Sequence, residues 1–156
     1  VASAPALFGM KWAILCIDAD TLVPTTRGPV PLKRVQVGDL VLTPDGFQKV
    51  IARDVGRPHP LNNKWLAITT DGGTLRLTTT HHIGGRPAAE LRVGDELETP
   101  RGPVSVLKIE PAEPPELAGD LELEGIESYC VGDVYVNSMF EHTAARKLAR
   151  PMLLAA

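Results

Sequence analysis

Residues 35–46 read VQVGDLVLTPDG, and residues 91–102 read LRVGDELETPRG. At a constant spacing of 56 residues, six of the twelve positions are identical: Val37/Val93, Gly38/Gly94, Asp39/Asp95, Thr43/Thr99, Pro44/Pro100 and Gly46/Gly102. Each copy reads as a strand entry, a Gly-Asp turn, a strand and a Pro-x-Gly turn. Two such copies predict two related β subdomains about a pseudo-twofold axis. Two similar hairpins of separate origin are the alternative, because Gly-Asp and Pro-x-Gly are common turn pieces.

Outward from the repeat, the chain continues in short apolar runs. Leu22-Val23, Val50-Ile51, Trp65–Ile68, Thr74–Leu77, Val104–Leu107, Leu121–Leu123 and Val134–Val136 read as strands, as do Val35–Val37 and Leu40–Leu42 within the first copy. Turn signals separate them at Arg27-Gly28-Pro29, Asp71-Gly72-Gly73 and Gly84-Gly85. Many short strands with frequent turns predict an all-β domain. The ends differ. Residues 1–15 have no clear period, whereas Ser138–Glu141 fits a capping box that opens a helix over 138–150, ended by Pro151.

The bulk numbers narrow the function classes. The chain has 156 residues, of which 44% are hydrophobic and 22% charged, as in a globular domain with a core. A net charge of −3 gives no electrostatic reason to expect nucleic-acid binding. No apolar run approaches the ~20 residues that cross a bilayer, so no membrane partner is expected. Met10–Cys16 resembles a signal segment, but it is short and Asp18 and Asp20 follow at once. Two cysteines, Cys16 and Cys130, are too few for a disulfide framework, which favours a reducing, cytoplasmic location. The start at Val1 reads as a fragment of something longer.

Four pieces in fixed order carry the chemistry: Cys16-Ile17-Asp18-Ala19-Asp20-Thr21, Thr78-Thr79-Thr80-His81, Gly119-Asp120-Leu121 and Val136-Asn137-Ser138. With the Gly38–Gly46 segment they resemble the Hint superfamily, shared by inteins, bacterial intein-like domains and hedgehog autoprocessing domains. The likeness runs from Cys16 to Ser138. It implies a horseshoe-like fold with pseudo-twofold β subdomains, here with a short helical C-terminal flank. It also implies a mini-intein at 16–137, with residues 1–15 as N-extein and 138–156 as C-extein. No cofactor and no metal are implied. The partners would be its own exteins, and the domain would act as a monomer in a single turnover.

The resemblance assigns roles. Cys16 would attack the Leu15 carbonyl to form a thioester, for which a thiol suits because its pKa of about 8.5 leaves some thiolate near neutrality. His81 would bond and protonate the departing Cys16 nitrogen, and Thr78 would hold the same segment. Asp120 would help Cys16 leave or Ser138 attack. Ser138 would take the acyl group as an ester. Asn137 would close a ring on its own carbonyl, and the freed amine would join Leu15 to Ser138. Each residue also has a bland reading: a buried Cys, strand-end threonines, a solvated histidine (His82 stands beside His81), a turn aspartate, a helix cap. Cys130 reads as a core residue on Tyr129-Cys130-Val131.

The departures matter too. Inteins usually carry His before the terminal Asn, and here Val136 stands there. The family's second histidine also lacks a match, since Glu127 and Ser128 occupy that place. Cyclisation is then expected either to be slow or to rely on another group, for which His142 in the flanking segment is a candidate. Only 16 residues separate Gly102 from Gly119, too few for the homing endonuclease of large inteins. Two alternatives stay open: a domain that forms the thioester and cleaves without joining, and a non-catalytic β-rich binding module.

Overall fold

The computed structural model describes residues 12–13, 16–61 and 64–140. Among them lie sixteen strands: β1 (Trp12–Ala13), β2 (Ile17–Asp18), β3 (Leu22–Thr25), β4 (Gly28–Pro31), β5 (Leu40–Thr43), β6 (Gly46–Pro58), β7 (Trp65–Thr70), β8 (Gly73–Thr78), β9 (His82–Ile83), β10 (Arg86–Pro87), β11 (Glu96–Thr99), β12 (Gly102–Ser105), β13 (Lys108–Ala112), β14 (Ala118–Leu123), β15 (Ser128–Val131) and β16 (Val134–Asn137). Two single 3-10 turns, Leu32–Arg34 and Ala88–Glu90, complete the elements. The fold is all-β, as expected. The helix expected over 138–150 falls almost wholly outside the described residues, as does the cap partner Glu141.

The two repeat copies form matching hairpins, β5–β6 and β11–β12. In each, a buried threonine closes the turn. Thr43 Oγ1 donates to Gly46 O at 2.6 Å, and Thr99 Oγ1 donates to Gly102 O at 2.6 Å. Both glycines are left-handed, with φ of 92° and 99°, a conformation that disfavours any Cβ. The Gly-Asp pieces also match: Asp39 accepts from Gln36 N and Asp95 from Arg92 N, each at 2.9 Å, and each carboxylate pairs with an arginine, Arg27 or Arg86. This explains why Val35–Val37 is not a strand. The Gln36 amide is taken by the Asp39 side chain in a local turn, so it cannot join a ladder.

The symmetry extends further than the repeat. Leu32 N donates to Thr21 O, and Ala88 N to His81 O; Thr21 N donates to Asp18 O, and His81 N to Thr78 O. Residues 17–23 therefore match residues 77–83, now at a spacing of 60, because the β9–β10 hairpin is shorter than β3–β4. The equivalent residues Ile17 and Leu77 face each other where β2 pairs with β8, so the pseudo-twofold axis passes between them. On either side the main sheet runs symmetrically, in the order β13-β7-β8-β2-β14-β6, and continues through β5, β3 and β4. β7 follows the first copy yet pairs with the second, and β14 follows the second yet pairs with the first.

The core repeats the same pairs. Val35 and Leu91, Val41 and Leu97, and Val50 and Val106 are all buried. Each such side chain contributes about 1.5–3 kcal/mol. Strand alternation turns Val41 and Leu97 inward and leaves Glu96 and Glu98 outside.

Candidate functional site

Cys16 precedes β2, which lies between β8 and β14. This register brings it opposite the end of β8. Thr78 N donates to Cys16 O at 3.0 Å, and Cys16 N donates to Thr78 Oγ1 at 3.3 Å. Cys16 is fully buried and packs with Trp65 and Ala118. The amide that would belong to the first scissile bond is thus gripped by Thr78. Thr21 stands aside: its hydroxyl donates to Asp18 O at 2.6 Å, bracing the turn after β2.

Three residues beyond Thr78, the chain has turned and His81 is buried. Its Nε2 lies 2.8 Å from Asn137 O. A carbonyl oxygen only accepts, so Nε2 carries the proton there. The resemblance put His81 at the Cys16 nitrogen; the structure places Thr78 Oγ1 on that nitrogen and the His81 ring on the carbonyl of the other border. His82 follows on β9, half-buried.

Asn137 ends β16 beside Ser128 on β15. Gly85 N donates to Asn137 Oδ1 at 2.8 Å, and Asn137 Nδ2 donates to Ser128 Oγ at 3.4 Å. The Gly85 donor settles which end of the carboxamide is oxygen. Ser138 is buried, and its N–H donates to Glu127 O at 2.6 Å. Val136 is also buried, in the main core.

Asp120 lies on β14, two strands from Thr78, and is buried. Its carboxyl accepts from Tyr129 Oη at 2.6 Å, Leu121 N at 2.9 Å and Met139 N at 2.6 Å. The last bond ties it to the residue after Ser138. Burial pushes its pKa up to about 7, against the three donors, which favour the carboxylate. Burial also raises Tyr129 well above the ordinary phenol value. Cys130 sits free and buried on β15, its thiol pushed up to about 12 by burial. Among the described residues, no group of three or more His, Cys, Asp or Glu is arranged to hold a metal.

Tyr129, Ser128 and Gly85 were not legible as site residues. A phenol inside an apolar strand has to find a polar partner, which was the available signal for Tyr129. Ser128 and Gly85 carry no such signal; a Gly-Gly pair reads as a turn.

No family sequence model and no curated protein sequence matches the chain. Solved structures do. The gp41-1 intein matches with a TM-score of 0.68 at 23% identity, over 80% of this chain and 98% of that one. The bacterial intein-like domain from Clostridium thermocellum matches at 0.65 with 25% identity, over 79% and 98%. The MchDnaB-1 intein matches at 0.64 with 24% identity, over 78% and 99%. The sheet order, the twofold relation of its halves and these likenesses agree: the chain has the Hint fold, the fold of inteins and bacterial intein-like domains.

Proposed function

We propose that residues 16–137 are a self-splicing mini-intein that excises itself and joins residues 1–15 to residues 138–156. One observation carries this reading. The turn Thr78–His81 holds the Cys16 amide at one end and the Asn137 carbonyl at the other, so both borders of the element are bound to four consecutive residues. Intramolecular attack between groups held in this way is worth about 7–11 kcal/mol of barrier.

Cys16 attacks the Leu15 carbonyl, with Thr78 Oγ1 orienting the amide that breaks. Ser138 then takes the acyl group, while Asp120 fixes its neighbour Met139 and offers a carboxyl that exchanges protons near neutrality. Asn137 closes on its own carbonyl and releases the Ser138 amine, which takes the acyl group as a peptide. The reaction is a single turnover, and the element works as a monomer on its own exteins, in the cytoplasm, without nucleic acid, membrane or cofactor.

The test is intact mass after purification and incubation with reductant. Splicing yields a joined peptide of 34 residues and a free domain of 122. A single unchanged mass defeats the proposal. A second reading, cleavage without joining, is favoured by the core residue Val136 where inteins usually carry histidine. It predicts hydroxylamine-sensitive cleavage before Cys16 with no joined product.

A further inference from the structure

We propose that His81 acts at the Asn137 carbonyl, and that Gly85 N–H and Ser128 Oγ hold the Asn137 carboxamide, so that these groups form the ring-closure site in a chain with no histidine at 136. This rests on the splicing reading above.

The geometry serves both ends of the closing ring. His81 is fixed through its backbone, its N–H donating to Thr78 O and its carbonyl accepting from Ala88 N. The ring then presents Nε2–H to Asn137 O at 2.8 Å. Gly84 and Gly85 are both left-handed, with φ of 62° and 84°, and this bend delivers the Gly85 N–H to Asn137 Oδ1. Ser128 faces Asn137 directly across the β15–β16 pair and accepts from Nδ2. Val136, by contrast, is turned into the core and does not share this site.

Closure forms a bond from Asn137 Nδ2 to the Asn137 carbonyl carbon and breaks the bond from that carbon to the Ser138 nitrogen. Negative charge develops on the Asn137 oxygen in the tetrahedral intermediate, where the His81 Nε2–H already donates. The Gly85 N–H draws density onto Oδ1 and makes Nδ2–H more acidic, and Ser128 Oγ accepts that hydrogen. The electron pair of the broken bond leaves on the Ser138 nitrogen, held by its own N–H to Glu127 O. Nδ2 gives up one proton and the Ser138 nitrogen gains one. One cavity, of about 450 Å³, borders Ser128 and Asn137, where solvent can take the first proton, and another, of about 600 Å³, borders Glu127 and Ser138, where solvent can supply the second.

The test uses the full chain with Cys16→Ala, in which no thioester forms and release of residues 138–156 reports closure alone. Adding His81→Ala slows release roughly 100-fold, the usual cost of losing one such donor. His81→Gln, whose amide N–H reaches toward the same carbonyl, recovers part of the rate, and Ser128→Ala slows release less than His81→Ala. In the folded but inert Cys16→Ala/Asn137→Ala chain, nitrogen NMR of the His81 ring shows the proton on Nε2, a readout that does not depend on the folding of the His81 or Ser128 variants. Release by Cys16→Ala/His81→Ala at the rate of Cys16→Ala, or a ring with Nε2 bare, overturns the proposal. No release from Cys16→Ala itself defeats ring closure at Asn137, and with it the splicing reading.

Discussion

Asp120 binds three donors inside the protein, one of them the amide of the residue after Ser138. Its pKa rises from 3.8 to about 7 because burial outweighs those donors. A carboxyl whose folded pKa is raised contributes stability that is fully present below 3.8 and lost as pH climbs through about 7. The loss is on the order of 4 kcal/mol at ~1.4 kcal/mol per unit. Denaturant titrations between pH 4 and 8 should therefore show stability falling with pH, with a flatter profile in Asp120→Asn. The reaction runs the other way. The carboxylate form accepts from both Tyr129 and Met139, so the splicing rate should rise through an inflection near 7. Tyr129→Phe removes a bond that lowers the Asp120 pKa, and the inflection should move to higher pH; an unmoved inflection would assign it to another group. Val136 gives a second prediction at this scale. Inteins usually carry histidine at this place, which by itself would suggest that Val136→His speeds release of the C-terminal segment. The side chain is 1% exposed within the main core, so the substitution should instead lower stability by about 1–3 kcal/mol, read as a lower midpoint, without faster release.

Strand β14 is where the element scale bears on the site. It runs between β2 and β6 and carries Asp120 into place beside the start of β2, which Cys16 precedes. It fits because residue 119 is glycine. A Cβ there would lie 2.5 Å from Leu32 Cδ2 and 2.8 Å from Asp54 O, and the second of these is backbone. Gly119→Ala should cost about 2–3 kcal/mol and slow both bond-breaking steps by displacing Asp120; a melting temperature within a degree of the parent would show that β6 yields easily. The hairpins β5–β6 and β11–β12 were readable in advance, since a Thr-Pro-x-Gly turn closes on itself with local bonds. The pairing of β7 with β13, and of β14 with β6 and β2, was not, because nothing local specifies a partner roughly forty to a hundred residues away. The match of residues 17–23 to 77–83 was hidden by the shorter second hairpin, which shifts the spacing from 56 to 60. For the same reason Thr78 and His81 were legible as a pair, while the partner of each ring or hydroxyl was not.

At the scale of the molecule, the chain crosses from one half to the other between β6 and β7, next to Leu61, which is 90% exposed. Residues 1–61 carry β1–β6 and Cys16, and residues 62–156 carry β7–β16 with Thr78, His81, Asp120, Asn137 and Ser138. Neither piece holds the site alone. In the first piece, the stretch of β6 from Val50 to Gly56 loses its partner β14, β2 loses both neighbours, and Ile17 loses the cover of Leu77. Bare strand edges of this kind seek a complement or aggregate. A chain cut after Leu61 should therefore reassemble from its two pieces. With Cys16→Ala in the first piece, the two should comigrate in size-exclusion chromatography, while the first piece alone is unfolded or aggregated. With Cys16 intact, the 34-residue joined peptide should form only after mixing. Pieces that each stay folded and apart would mean that the twofold relation is two independent domains, and that the β2–β8 and β6–β14 pairings do not hold the borders of the element together.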